Sequence, residues 1–77
     1  MFITDIYKIV VRDADSINNH VDPRIFFDRA KAEEFAKQLW ADGDYEDFKI
    51  GEIIIYREVP DTSLGWFRTA GMSRIEK

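Results

Sequence analysis

One stretch of this sequence carries a helical period. Between Asp28 and Gly43, the residues Ala32, Phe35, Ala36 and Leu39 recur at spacings of three and four, with Trp40 at the margin of the stripe. Asp28 suits an N-cap, since its carboxylate can accept from amides of the first turn. Gly43 suits the left-handed residue that closes a helix. A helix is therefore predicted from about Asp28 to Asp42, with Glu33 and Lys37 spaced for an exposed ion pair. Its apolar stripe must be buried, and nothing else in the chain offers a second helix to bury it.

The remainder alternates. Ile3 to Arg12 places Ile3, Tyr7, Ile9 and Val11 on one face and Ile6 and Val10 on the other, as expected of an interior strand partly covered on its second side. Asp13 to Pro23 is rich in turn formers and predicts a loop. Arg24 to Phe27 then predicts a short return strand. Phe48 to Val59 predicts a long strand whose parity changes at Gly51, where a bulge or bend is expected. Pro60 to Ser63 reads as a turn and Gly65 to Thr69 as a last strand. Ala70 to Lys77 offers little to anchor it, so a mobile tail is expected there. The order β-β-α-β-β, with one apolar helix stripe against one sheet face, predicts an antiparallel two-layer α+β fold.

Seventy-seven residues suffice for one domain and leave no room for two, so residues 1–77 are read as a single unit. No cysteine is present, which excludes disulfide staples and thiolate metal sites and suits a reducing cytoplasm. Met1 to Lys8 does not read as a signal peptide, because Asp5 and Lys8 interrupt it and no small-residue cleavage site follows. No apolar run approaches the roughly 20 residues needed to span a bilayer.

Catalysis finds little support. His20 is the only histidine and sits among loop residues, where a solvated role is expected. Ser16, Ser63 and Ser73 have no evident base beside them. Asp42-Gly43-Asp44-Tyr45-Glu46-Asp47 spaces its oxygens as a calcium loop does, but Asp47, Lys49 and Ile53 stand where that loop needs glycine, an aliphatic residue and glutamate. Neither enzyme, metal site nor cofactor is predicted.

Charge is more informative. The net charge is −4, from 15 acidic and 11 basic residues. Asp42, Asp44, Glu46, Asp47 and Glu52 lie within eleven residues, opposed only by Lys49; without them ten acids face ten bases. The helix macrodipole disfavours Asp42 and Asp44 at its C-terminal end, and Arg29 and Lys31 at its start, by roughly 0.3–1 kcal/mol each. Turn chemistry and solubility also place charge in such segments. Charge kept against local preference nevertheless marks candidate functional surface. Phe26, Phe27, Phe35, Phe48 and Tyr7 are expected in the core, whereas Trp40, Tyr45, Tyr56, Trp66 and Phe67 cannot all be buried. Of Trp66 and Phe67, one must face away from the helix, and Arg57 and Arg68 are expected beside it. Such an aromatic and arginine patch suits a protein interface.

The segment Arg24-Ile25-Phe26-Phe27, the immediate helix Asp28-Arg29-Ala30-Lys31-Ala32-Glu33-Glu34-Phe35-Ala36 and the strand Ile53-Ile54-Ile55-Tyr56 together resemble many short proteins of bacteriophages and other mobile elements. The resemblance covers most of the chain and carries no motif-specific residue onto it. It implies a small acidic non-catalytic protein that binds and blocks a host protein, as anti-CRISPR and other anti-defence inhibitors do. The expected partner is a protein with a basic surface, met by the segment Asp42 to Glu52, with nucleic acid disfavoured by the charge. A second reading is a homodimer formed through the open sheet face. A third is single-stranded nucleic acid bound by Trp66, Phe67, Arg57 and Arg68.

Overall fold

A computed structural model describes residues 4–63 and 65–77. The element order is β1 (Ile6–Asp13), β2 (Asn19–Val21), α1 (Arg29–Asp42), β3 (Asp44–Tyr45), β4 (Phe48–Asp61) and β5 (Trp66–Arg74). All strand pairs are antiparallel, and the spatial order is β2-β1-β4-β3, with β5 also paired to β4. Ile54 to Glu58 pair with both β1 and β5, so β5 and β3 share the edge of β4 that faces away from β1. The chain is thus an α+β fold with one helix across an open sheet, as the periodicities imply. The part contributed by Ile3 lies outside the described residues.

The helix ends follow the local chemistry. Asp28 accepts from the Ala30 amide at 2.8 Å, and Gly43 at φ 82° donates to the Leu39 carbonyl at 2.9 Å. Ala32, Ala36 and Leu39 are buried against Ile9 and Val11 of β1 and Ile50, Ile53 and Ile55 of β4; Phe35 and Trp40 pack at the margin. Glu33 pairs with Arg29 at 2.8 Å instead of Lys37, and Arg29 also reaches Ser73 at 2.9 Å. The backward-facing partner wins because Arg29 is held by the sheet as well as by the helix.

The sheet departs from expectation in four places. The return arm begins at Asn19, inside the expected loop, and Arg24 to Phe27 contributes one bridge, Phe26 to Tyr7. Polar Asn19 and His20 pair because the tight turn at 14–18 sets their register opposite Val11 and Arg12. His20 is consequently half-buried, its ring 4.5 Å from that of Phe48. Phe27 is 69% exposed, since adjacent residues alternate and Phe26 takes the inward position beside Phe35. A fifth strand, β3, precedes β4. Finally, Pro60 and Asp61 belong to β4, and residues 70–74, expected as an unanchored tail, form the second half of β5.

The bulge expected at Gly51 is present: Arg12 pairs with Glu52 and Asp13 with Ile50, so Gly51 is passed over. A Cβ there would lie 2.7 Å from the Ala14 Cα, because the β1–β2 turn crosses β4 at that point. A second bulge passes over Ala70 in β5. Both redirect the side chains that follow them.

Candidate protein-binding surfaces

The acidic segment is built by the end of α1 and the β3–β4 hairpin. Asp44 pairs with Lys49 and Tyr45 with Phe48, leaving Glu46 and Asp47 in the turn. Glu46 occupies the left-handed region at φ 55°, where glycine or asparagine is the favoured residue and a longer side chain costs roughly 1 kcal/mol. Asp42, Asp44, Glu46 and Asp47 are all exposed. Among the described residues none of these four forms an ion pair, whereas Asp5, Asp22, Glu33, Glu52, Asp61 and Glu76 each have an arginine partner. Asp42 accepts only from Gln38, at 3.3 Å.

Glu52 does not belong with them. The Gly51 bulge turns it to the sheet face away from α1, where it lies across from Arg12 at 3.6 Å and Arg74 at 3.2 Å. Its charge is balanced locally.

The hairpin is tied down by a group that sequence patterning gave no reason to single out. Asp22 is 2% exposed. It accepts from the Tyr45 hydroxyl at 2.8 Å, the Arg24 amide at 2.9 Å and the Arg24 guanidinium at 3.0 Å. The guanidinium in turn lies 4.7 Å from the centre of the Phe35 ring. Burial first, and then the hydrogen bond to Asp22, pushes the Tyr45 hydroxyl up to about 12. One carboxylate therefore joins the β2 exit, the approach to α1 and the acidic hairpin. Asp22-Pro23 reads as turn chemistry, and only the non-local pairing of Tyr45 could have revealed the rest.

The aromatic and arginine residues gather elsewhere and in a different arrangement from that expected. Among the described residues, pairing of β4 with β1 ends at Glu58, whereas Val59–Asp61 continue to pair with Trp66–Arg68 of β5. Trp66 pairs with Asp61 and is 67% exposed. By strand alternation Trp66, Arg68 and Arg57 lie on the α1 side of the sheet, and Phe67 alone turns to the open face with Pro60. No joint patch forms on that face. Arg57 is engaged by Asp5 at 2.9 Å and Arg68 by Asp61 at 3.1 Å.

Phe48 and Asp61 mark the two ends of β4, the longest strand of a molecule whose longest dimension is 39 Å. Asp42, Asp44, Glu46 and Asp47 surround one end; Trp66 and Arg68 stand at the other. The residues singled out from the sequence thus divide into two surfaces. Among the described residues, no three carboxylate or histidine side chains converge to hold a metal ion, and no helix is long and apolar enough to cross a membrane. Compared with family models, curated proteins and solved structures, the chain matches none.

Proposed function

We propose that this chain is a non-catalytic protein-binding module that seats its acidic end on a basic surface of a target protein and blocks that surface. The observation that carries this reading is the hairpin carrying Asp44, Glu46 and Asp47, with Asp42 beside it. These four carboxylates are exposed and free of intramolecular arginine, on a backbone anchored through Tyr45 and Asp22. A charge already paired within its own chain has little to offer a partner; an unpaired one, held in place, gains most from a complementary cation. Where the target handles nucleic acid, these carboxylates compete with phosphate oxygens for the same lysines and arginines. The resemblance to small phage and mobile-element proteins makes a host protein in the bacterial cytoplasm the intended target, a CRISPR or other defence component included.

Capture from a bacterial lysate by the wild-type chain and by the Asp44→Lys/Asp47→Lys double variant tests this. The wild type should retain a discrete protein that heparin or raised salt displaces, and the variant should retain it at least about tenfold less well. Equal capture by the two proteins rejects the acidic end as the docking surface.

A further inference from the structure

We infer that residues 75–77 are a strap over the last turn of α1, whose release frees that turn, and Asp42 with it, while the sheet stays folded. The helix is lightly held by its buried stripe. Ala32 and Ala36 each bury only a methyl group, and Leu39 is the one large side chain among them. Its last turn carries no basic residue to offset the helix dipole, and Asp42 opposes that dipole, so the turn is prone to fray. What fastens it is Trp40, whose indole N–H donates to the Ile75 carbonyl at 2.8 Å. Ile75 donates its own amide to the Ile53 carbonyl at 2.9 Å and lays its side chain against the core. The attachment falls where the cover of β4 changes hands. β5 pairs with Ile54–Asp61, Ile75 meets Ile53, Gly43 meets Ile50, and β3 takes Lys49 and Phe48.

The strap is a small attachment beside what it leaves intact. Glu76 and Lys77 are exposed, and the Lys77 ammonium lies 6.0 Å from the centre of the Trp40 ring, at the limit of a cation–π contact. Its fixed contacts are therefore those of Ile75. Giving them up leaves Ile9, Val11, Ile53 and Ile55 enclosed by the pairing of β1 with β4. Segments held by few buried contacts open locally, without global unfolding. The consequence falls on the acidic end, which rests on two supports. Asp44, Glu46 and Asp47 ride on the hairpin that Tyr45 fastens to Asp22, whereas Asp42 rides on α1, just beyond Trp40. The strap fastens the second support alone, so it sets Asp42 against the other three carboxylates. This last step rests on the acidic end being the docking surface; the opening itself does not.

Amide hydrogen exchange of the full chain, followed residue by residue by NMR at several urea concentrations, tests this. In the wild type the Ala41, Asp42 and Gly43 amides should exchange at least about tenfold faster than those of Val10 and Ile54 at the centre of the sheet. Their rates should also depend less on urea, because the opening exposes little surface. Ile75→Ser removes the packed side chain and keeps the carbonyl; Trp40→Phe removes the indole donor and keeps a ring. Each should speed exchange of the last turn at least about fivefold further and leave the Tyr45 and Phe48 resonances in place. Met72→Ala, on the same strand but turned away from the helix, should leave the last turn at its wild-type rate. Trp40→Phe decides the matter if Ile75→Ser does not fold. Exchange of the last turn at the rate and urea slope of Val10 and Ile54, or a last turn unmoved by these substitutions, overturns the inference. The measurement needs no target, so its failure is distinguishable from failure of the acidic end to dock.

Discussion

The two ends of β4 treat charge in opposite ways. Around Phe48 the backbone is tied into the domain through Tyr45, Asp22 and the contact between the His20 and Phe48 rings, while Asp42, Asp44, Glu46 and Asp47 are left without ion partners among the described residues. Around Asp61 the pairing among the described residues is with β5 alone, and the cations are used internally, Arg57 by Asp5 and Arg68 by Asp61. One end fixes its frame and frees its charges; the other spends its charges within the chain. A surface meant for an electrostatic partner is better served by the first arrangement, because ordering a mobile support on binding would cost part of the gain.

The largest effect that would break this contrast lies in the buried anchor. Asp22→Ala leaves the Tyr45 hydroxyl and the Arg24 amide without their acceptor, and a loss of about 2–4 kcal/mol is expected. A chain of this length has roughly 4–12 kcal/mol in total, so the melting temperature should fall by about 10 °C or more. Asp5→Ala, which opens the exposed pair with Arg57 towards the other end of β4, should cost less than about 1 kcal/mol. Similar losses from the two substitutions, measured by urea unfolding, would mean that the acidic end is held no more firmly than the other.

Alkaline titration sharpens the same point. The folded chain holds the Tyr45 proton until about pH 12, whereas the unfolded chain releases it near 10. Folding therefore retains a proton in that window, so the contribution of Tyr45 is complete below pH 10 and is lost as pH rises towards 12. Tyr45→Phe should cost about 1 kcal/mol at neutral pH and flatten the alkaline decline. In absorbance titration it should also remove the late-ionising component. An unchanged late component would assign it to Tyr7 or Tyr56 and dissolve the anchor.

What was legible in the sequence was what is local. Asp28 and Gly43 announce the helix ends because caps act within a turn, and Gly51 announces its bulge because a strand's alternation breaks there. Asn19–Val21 and residues 70–74 were illegible because their strand identity comes from the partner. Asn19 and His20 have weak strand preference of their own, and the bulge at Ala70 interrupts any alternation from Trp66 to Arg74. The acidic surface could be counted from composition. Removing Glu52 from it, and parting Phe67 from Arg57, required the register on either side of a bulge, whereas alternation by itself parts Phe67 from Arg68.

Glu46 offers a smaller test, of opposite sign. Its left-handed backbone is where glycine relieves strain, so Glu46→Gly should stabilise the chain by about 0.5–1 kcal/mol, read as a shifted urea midpoint at constant slope. The same substitution should weaken capture of the target, since it removes one of the free carboxylates. Stability gained without any loss of capture would make the glutamate an accident of the turn.

Trp66 is the smallest effect and the control for the others. At 67% exposure it contributes little to folding, and Trp66→Ala should change stability by no more than about 0.5 kcal/mol. The two tryptophans differ enough to be told apart in solution: Trp40 is half-buried and donates its indole N–H to the Ile75 carbonyl at 2.8 Å. Acrylamide should therefore quench the wild type readily, and the variant, left with Trp40 alone, much less. A variant that is instead destabilised by about 2 kcal/mol, or equally quenched, would place Trp66 against the body of the domain. The Asp61 end would then be as firmly seated as the acidic end, and the difference between the two ends of β4 would reduce to the pairing of their charges.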